Sequence, residues 1–223
     1  HADTGRKCFS IPNRPDSTTS HRMNSPGKDN ITAVVLAGGR GRRLGGQDKG
    51  LMELDGRPMI EHILNLVTPQ VNAVIINANR NQQVYADSGH PVISDNMTDY
   101  QGPLAGFAAA LAATDTDYIM TLPCDGPYVP ADLASRLSAA IIENDAELAV
   151  AHDGQRMQPV YALIPRSLLG SLQDFLDAGD RKIDLWYARH DTALADFSDV
   201  IDTFFNINTD DDLRTADKTG SKR

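Results

Sequence analysis

From Gly38 to Gly50 the chain reads Gly-Gly-Arg-Gly-Arg-Arg-Leu-Gly-Gly-Gln-Asp-Lys-Gly. Glycine lets successive backbone N–H groups turn toward a ligand with no Cβ in the way, and such a turn forms a concave anion site. Arg40, Arg42, Arg43 and Lys49 add positive charge and donors for phosphate oxygens. Binding a nucleoside triphosphate is the chemistry this combination suits. It is not a Walker loop, because Lys49 follows Asp48 and precedes Gly50 instead of preceding Ser or Thr. Nor is it a dinucleotide loop, because Leu44 stands where the third glycine belongs. Three further polar residues each follow an apolar run. Asp125, in Pro-Cys-Asp-Gly-Pro, suits Mg²⁺ held by few protein ligands plus phosphate oxygens; Pro127 and Pro130 also allow a plain turn or a helix cap. Asp95, in Ser-Asp-Asn, reads equally as a ligand or a turn residue, and Asn77 as a base reader or a loop tie.

These residues need a scaffold that gathers them. Ala33-Val34-Val35-Leu36-Ala37 runs straight into the glycine loop and, being apolar without alternation, reads as a buried parallel strand. Ala73–Ala78, Pro91–Ser94 and Tyr118–Leu122 read the same way. Helices are expected from Pro58, with Met59, Ile60, Ile63, Leu64 and Val67 as the apolar stripe; over 81–87; from Gly102 to about Ala113; and from Pro130. In an open α/β sheet the ligand lies beyond the carboxyl ends of the strands. Four strands thus deliver the glycine loop, Asn77, Asp95 and Asp125 to one edge.

The second half changes character. Leu148–His152 and Met157–Ile164 flank Asp153-Gly154, a hairpin signal. Helices are expected over 165–178 and 182–189, extended pieces over 192–197 and 203–206, and a last helix capped by Thr209 with Asp210, Asp211 and Asp212 in its first turn. The fold expected is a single-domain, Rossmann-like three-layer α/β sandwich, mostly parallel with an antiparallel insertion. Residues 1–30 read as a disordered extension, 31–217 as the domain and 218–223 as a tail.

Composition narrows the function. A net charge of −9 argues against nonspecific nucleic-acid binding. No apolar run spans a bilayer and no signal-peptide core is present, so a cytoplasmic protein with no membrane partner is expected. Cys8 and Cys124 are not expected to pair, and Cys124 reads as a packed residue. No CxxC, HExxH or spaced histidine cluster points to zinc; His62 reads as solvated or packed, His90 as a turn residue, and His152, at a hairpin, as structural sooner than as a substrate contact.

The stretches Leu36–Gly39, Gly41-Arg42-Arg43, Gly45-Gly46 and Asp48-Lys49-Gly50 resemble the signature of nucleotidyltransferases with the A-type glycosyltransferase (nucleotide-diphospho-sugar transferase-like) fold. With Asn77–Arg80, Asp99–Gly106, Pro123–Tyr128 and Asn206–Thr209, the set is most similar to the molybdenum cofactor guanylyltransferases, the MobA family, over about residues 32–213. The resemblance implies transfer of GMP from GTP to molybdopterin with release of pyrophosphate and no covalent intermediate. It implies nucleotide contacts from Leu36, Ala37, Gly38, Gly39, Gly41, Lys49, Asn77, Asp95 and Gly102. It implies Mg²⁺ on Asp125, with Arg42, Lys49 and Asp125 as the catalytic set, and Gly102–Gly106 close to the base and ribose. Gly126 departs from the Thr or Met common there, which is expected to loosen the turn. Polarity and position suggest Arg156, Gln158, Arg181, Lys182 and Asn208 as pterin contacts. A molybdenum-insertion protein and apo-molybdoenzymes or their chaperones are the macromolecular partners implied. The rivals are a cytidylyltransferase for the same pterin, a sugar-1-phosphate nucleotidylyltransferase, and a noncatalytic GTP-binding module that delivers cofactor.

Overall fold

Strand β1 (Ile31–Leu36) lies in the middle of the sheet and all but its last residue are buried. Its side chains alternate between two cores, as the period of a strand requires. Ile31, Ala33 and Val35 face helices α1 (Met59–Val67) and α4 (Leu133–Asn144). Val34 and Leu36 face α3 (Pro103–Ala113), α5 (Leu169–Asp177) and α6 (Ile183–Tyr187). Two cores separated by one sheet make three layers. The computed structural model describes residues 24–37, 47–95 and 102–220.

The other strands of the main sheet are β4 (Ala73–Asn77), β5 (Val92–Ile93), β6 (Tyr118–Pro123), β7 (Leu148–His152), β8 (Met157–Pro165) and β9 (Thr192–Asp196). Their spatial order is β5-β4-β1-β6-β8-β7-β9. β5, β4, β1 and β6 pair in parallel, β8 is antiparallel to both β6 and β7, and β9 is parallel to β7. Only β8 runs backwards, so the carboxyl ends of six strands share one edge with the β7–β8 hairpin. This is the mostly parallel sheet with an antiparallel insertion that the sequence predicts.

Helix α1 buries the five residues of its predicted stripe. α3 is apolar nearly all round and lies against the sheet along most of its surface. A small hairpin, β2 (Glu53–Leu54) and β3 (Arg57–Pro58), packs with α1 and with α7 (Asp210–Gly220) through Leu54, Met59, Ile207 and Ala216. Before β1, Pro26 is buried, Asn24 donates to Asp117 at 3.3 Å, and a 3₁₀ turn at Lys28–Asn30 leads into the strand. Residues 1–23 lie outside the described residues. Among the described residues no helix is long and apolar enough to cross a membrane.

One prediction fails locally. Only part of the stretch 203–206 is extended: a kinked 3₁₀ segment, Ser198–Phe204, takes up its first half, and the backbone becomes extended at Phe205. The cause is packing: Phe204 seats edge-on against Tyr161 at 4.9 Å and against Phe197 at 5.5 Å. At the opposite edge from the loop, Ser171, His190 and Glu147 form a hydrogen-bonded chain at 2.8 and 3.3 Å. Trp186 also donates to Ser171, so the chain ties α5 and α6 to the start of β7.

Candidate active site

Four of the strands that end at the carboxyl edge, β1, β4, β5 and β6, lead to the polar groups of the site. Lys49 opens a 3₁₀ turn, Lys49–Leu51, just beyond the glycine loop. Its Nζ lies 2.8 Å from Oδ2 of Asp125, two residues past β6, and 2.5 Å from Oδ1 of Asn208. Both members of the ion pair are 19% exposed, so they face the edge without being immersed in solvent. Asp125 is fixed from below by its backbone carbonyl, which accepts from the N–H of Ile207 at 2.8 Å. Asn208 is fixed by a capping box: its N–H and that of Thr209 donate to Asp212, while Asp212 N–H donates to the Thr209 hydroxyl. The N–H of Asn208 above all, with Thr209, holds the Asp212 carboxyl below the usual carboxylate range. Asp212 therefore serves the helix start, as the sequence suggests.

The second cluster sits on β4 and β5. Asn77, the last residue of β4, is 2% exposed and donates to Oδ1 of Asp95 at 2.9 Å. Asn79 donates to Oδ2 at 2.8 Å and accepts from the Asp95 backbone N–H at 2.9 Å. Asn77 and Asp95, read separately in the sequence, are thus one unit, and Asn79 is a member that the sequence reading missed. Its signal was only its nearness: it stands two residues after Asn77, in the bend that follows β4.

The glycines of α3 have different tasks. Gly102 caps the helix at φ +79°, in the region that favours glycine. Gly106 meets protein, not open space: a Cβ there would lie 2.8 Å from both Asn77 Oδ1 and Leu36 Cδ2. Close helix–strand packing explains Gly106, and this replaces the expectation that it lies open to base and ribose.

Gly126 is likewise corrected. The turn is not loosened, because the hydroxyl of Tyr161 fills the space a side chain at 126 would take. A bulge in β8 aims Tyr161 there: register passes from Val150–Ala162 to Ala151–Gln158, leaving residues 159–161 unmatched. Burial, and then the neighbouring Asp125, push the Tyr161 hydroxyl pKa up. That hydroxyl and Oδ1 of Asn206 are both buried without a hydrogen-bond partner. Gly126→Ala is accordingly expected to cost about 1–3 kcal/mol of unfolding free energy by overpacking. Tyr161→Phe alone removes an unsatisfied buried hydroxyl and should leave stability equal or higher. Combined, the two should return to near the parental value in denaturant melts; simple addition of the Gly126→Ala loss would refute the pairing.

Of the acceptor candidates, Arg156 lies in the β7–β8 turn at the active edge with its side chain 77% exposed. Gln158 does not point outward: it is 7% exposed and donates to Asp153 at 2.6 Å. Asp153 also accepts from the N–H groups of Gln155 and Arg156, so Gln158 braces the hairpin, a correction to its reading as a pterin contact. Arg181 donates to the carbonyls of Leu176 and Asp180 at the end of α5, and Lys182 is exposed beside it. His152 accepts from Gly154 N–H and His62 bonds the Leu54 carbonyl, both structural. Cys124 is buried, and burial together with Asp125 and Asp48 pushes its thiol up to about 12, consistent with a packed residue. Leu36 ends β1 at this edge and Ala37 follows it. Gly38, Gly39, Gly41 and Arg42 lie outside the described residues.

Among the described residues no three His, Cys, Asp or Glu side chains converge. The donors at the edge are hard oxygens: the Asp125 carboxylate, which already faces the Lys49 ammonium, and the buried, unpartnered Oδ1 of Asn206. That set fits Mg²⁺, which takes one or two protein oxygens and leaves the remaining positions to phosphate and water.

A parallel sheet with a lysine–carboxylate pair at its carboxyl edge, opposite an amide–carboxylate pair, is the framework of a nucleotidyltransferase with the nucleotide-diphospho-sugar transferase fold. The family model described as a MobA-like NTP transferase domain matches residues 33–193, and the chain belongs to that family. A relative from Shewanella loihica named molybdenum cofactor guanylyltransferase is 54% identical over 179 residues, covering 80% of this chain and 91% of that protein. The crystal structure of molybdopterin-guanine dinucleotide biosynthesis protein A from Archaeoglobus fulgidus superposes with a TM-score of 0.72 at 25% identity, covering 86% of this chain and all of that one. The 4-diphosphocytidyl-2C-methyl-D-erythritol synthase of Anaerococcus prevotii has a TM-score of 0.68 at 12% identity, covering 87% and 97%; that likeness is of fold alone.

Proposed function

We propose that this enzyme transfers GMP from GTP to the terminal phosphate of molybdopterin, forming molybdopterin guanine dinucleotide and pyrophosphate. The observation that carries the reading is the contact between Lys49 and Asp125 at 2.8 Å, with Asn208, at the edge where the glycine loop leaves β1. The acceptor is a phosphate and therefore already a nucleophile, so no serine, cysteine or histidine nucleophile is required. What the reaction requires is in-line placement of two anions and stabilisation of charge at the α-phosphate and on the leaving pyrophosphate. Lys49 and Arg42 supply cationic neutralisation. Asp125 would hold Mg²⁺, which supplies Lewis-acid stabilisation of phosphate oxygens when bound. Asn77 and Asp95 read the base, Leu36, Ala37, Gly38, Gly39 and Gly41 line the base and phosphates, and Gly102 closes that side. The pterin lies toward the β7–β8 hairpin and the end of α5, near Arg156, Arg181, Lys182 and Asn208.

The test is calorimetric titration of GTP, CTP and ATP, each with Mg²⁺ and with a chelator, followed by pyrophosphate release in the presence of molybdopterin. GTP should bind selectively, its affinity should fall at least about tenfold without the divalent ion, and pyrophosphate should appear only with the pterin. Preference for CTP would transfer the reading to cytidylyl transfer. Mg²⁺-sensitive GTP binding with no turnover would favour a delivery module.

A further inference from the structure

The residue before Lys49 is an enclosed carboxylate at this edge. The Asp48 side chain is 5% exposed. It accepts from the Tyr85 hydroxyl at 2.5 Å and from Asn81 Nδ2 at 3.0 Å, and Arg80 Nε lies 3.7 Å away. Arg80 also donates to the carbonyl of Gln47 at 3.0 Å. The connection between β4 and α2 (Gln82–Ala86), together with α2 itself, thus grips the two residues by which the chain leaves the glycine loop. Asn81 does so from a left-handed backbone, φ +51°, a conformation that asparagine tolerates better than most residues. Gly50 completes the clasp: a Cβ there would lie 2.5 Å from the Tyr85 hydroxyl, so only glycine lets that hydroxyl pass the backbone to reach Asp48.

A buried carboxylate is costly unless its hydrogen bonds are made. Here they fix Asp48, and Arg80 fixes the Gln47 carbonyl, on the N-terminal side of Lys49, the residue that has to meet a phosphate. Small displacements of such a group are expensive, since about 1 Å of misplacement can cost on the order of a hundredfold in rate.

We propose that Asp48, clasped by Tyr85, is a positioning residue for nucleotide binding: it sets the Lys49 ammonium at the edge beside Asp125. The proposal rests on the reading that Lys49 contacts the nucleotide, and the experiment separates the two. Affinity for GTP with Mg²⁺ is measured by calorimetry for the parent, Tyr85→Phe, Lys49→Ala and the double variant, with a thermal melt of each. Tyr85→Phe keeps the ring and removes the donor. It should weaken GTP binding by about tenfold in the parent and by less than twofold when Lys49 is already alanine. Asp48→Asn should repeat the pattern. A purely structural role would lower the melting temperature equally in both backgrounds and leave the affinity of the folded protein unchanged, which would overturn the proposal. Equal weakening in both backgrounds would overturn it as well. Parental affinity in Lys49→Ala would instead remove the underlying reading, and that single variant shows it before Tyr85 is changed.

Discussion

Asp125→Ala is expected to lower pyrophosphate release from GTP and molybdopterin by at least about a thousandfold while the protein stays folded. The two halves of this expectation have separate grounds. The carboxylate is the edge oxygen assigned to Mg²⁺, and a metal contributes several kcal/mol of charge stabilisation, which at about 1.4 kcal/mol per factor of ten amounts to roughly three powers of ten. The fold does not depend on the side chain. What locks the turn is the Asp125 carbonyl accepting from Ile207, and the backbone survives the substitution. The ion pair with Lys49 is lost, but Asn208 remains as a partner for the ammonium. A partly exposed pair contributes about 0–1 kcal/mol, so the melting temperature should move by no more than a few degrees. Steady-state turnover with saturating Mg²⁺, beside a thermal melt, checks both halves. Turnover within tenfold of the parent in a folded variant would mean that another group holds the ion. A collapsed melt would mean that Asp125 serves the fold.

Such a residue is legible from sequence because it follows an apolar run. Strand ends in a parallel sheet share an edge, so Ala33–Ala37, Ala73–Ala78 and Tyr118–Leu122 predict where Asn77 and Asp125 go without any knowledge of contacts. The stripe of α1 is legible for the same reason: periodicity is a local property. What remained hidden depends on approach between distant segments. Nothing local to Asp48 indicates that Tyr85 comes across Gly50 to meet it. Nothing local to Gly126 indicates that a bulge in β8 turns Tyr161 into the vacated space. Gln158 misled for a related reason. Beside Arg156 in a turn it looks like a ligand contact, yet β8 directs it inward to a buried aspartate. Polarity locates candidates, whereas tertiary packing decides which of them have hydrogen-bonding capacity left for a ligand.

That distinction drives the second large expectation. Asp95→Asn should abolish base selectivity, weakening GTP binding by about a hundredfold or more while changing the weak binding of ATP by less than threefold. Guanine presents adjacent N1–H and N2–H donors, for which an ionised carboxylate, an acceptor on every lone pair, is the natural complement. Asp95 retains acceptor capacity after Asn77 and Asn79 each take one oxygen, at 2.9 and 2.8 Å. An amide at 95 places a donor against one of those two asparagines. The site must then either break its own network or turn an N–H toward the base. Hydrogen bonds to a charged group contribute about 1.5–3 kcal/mol each, so losing one corresponds to roughly ten- to two-hundredfold and losing two to more, which sets the expected loss at about a hundredfold or more. Asn79→Ala should produce a smaller loss of the same kind, because it frees one Asp95 oxygen and also its backbone N–H while leaving the carboxylate in place. Competition between GTP and ATP in one calorimetric series measures the ratio directly. If Asp95→Asn still prefers GTP by the parental factor, the base is read elsewhere, and Asn77 and Asp95 hold β4 and β5 together instead of choosing the nucleotide.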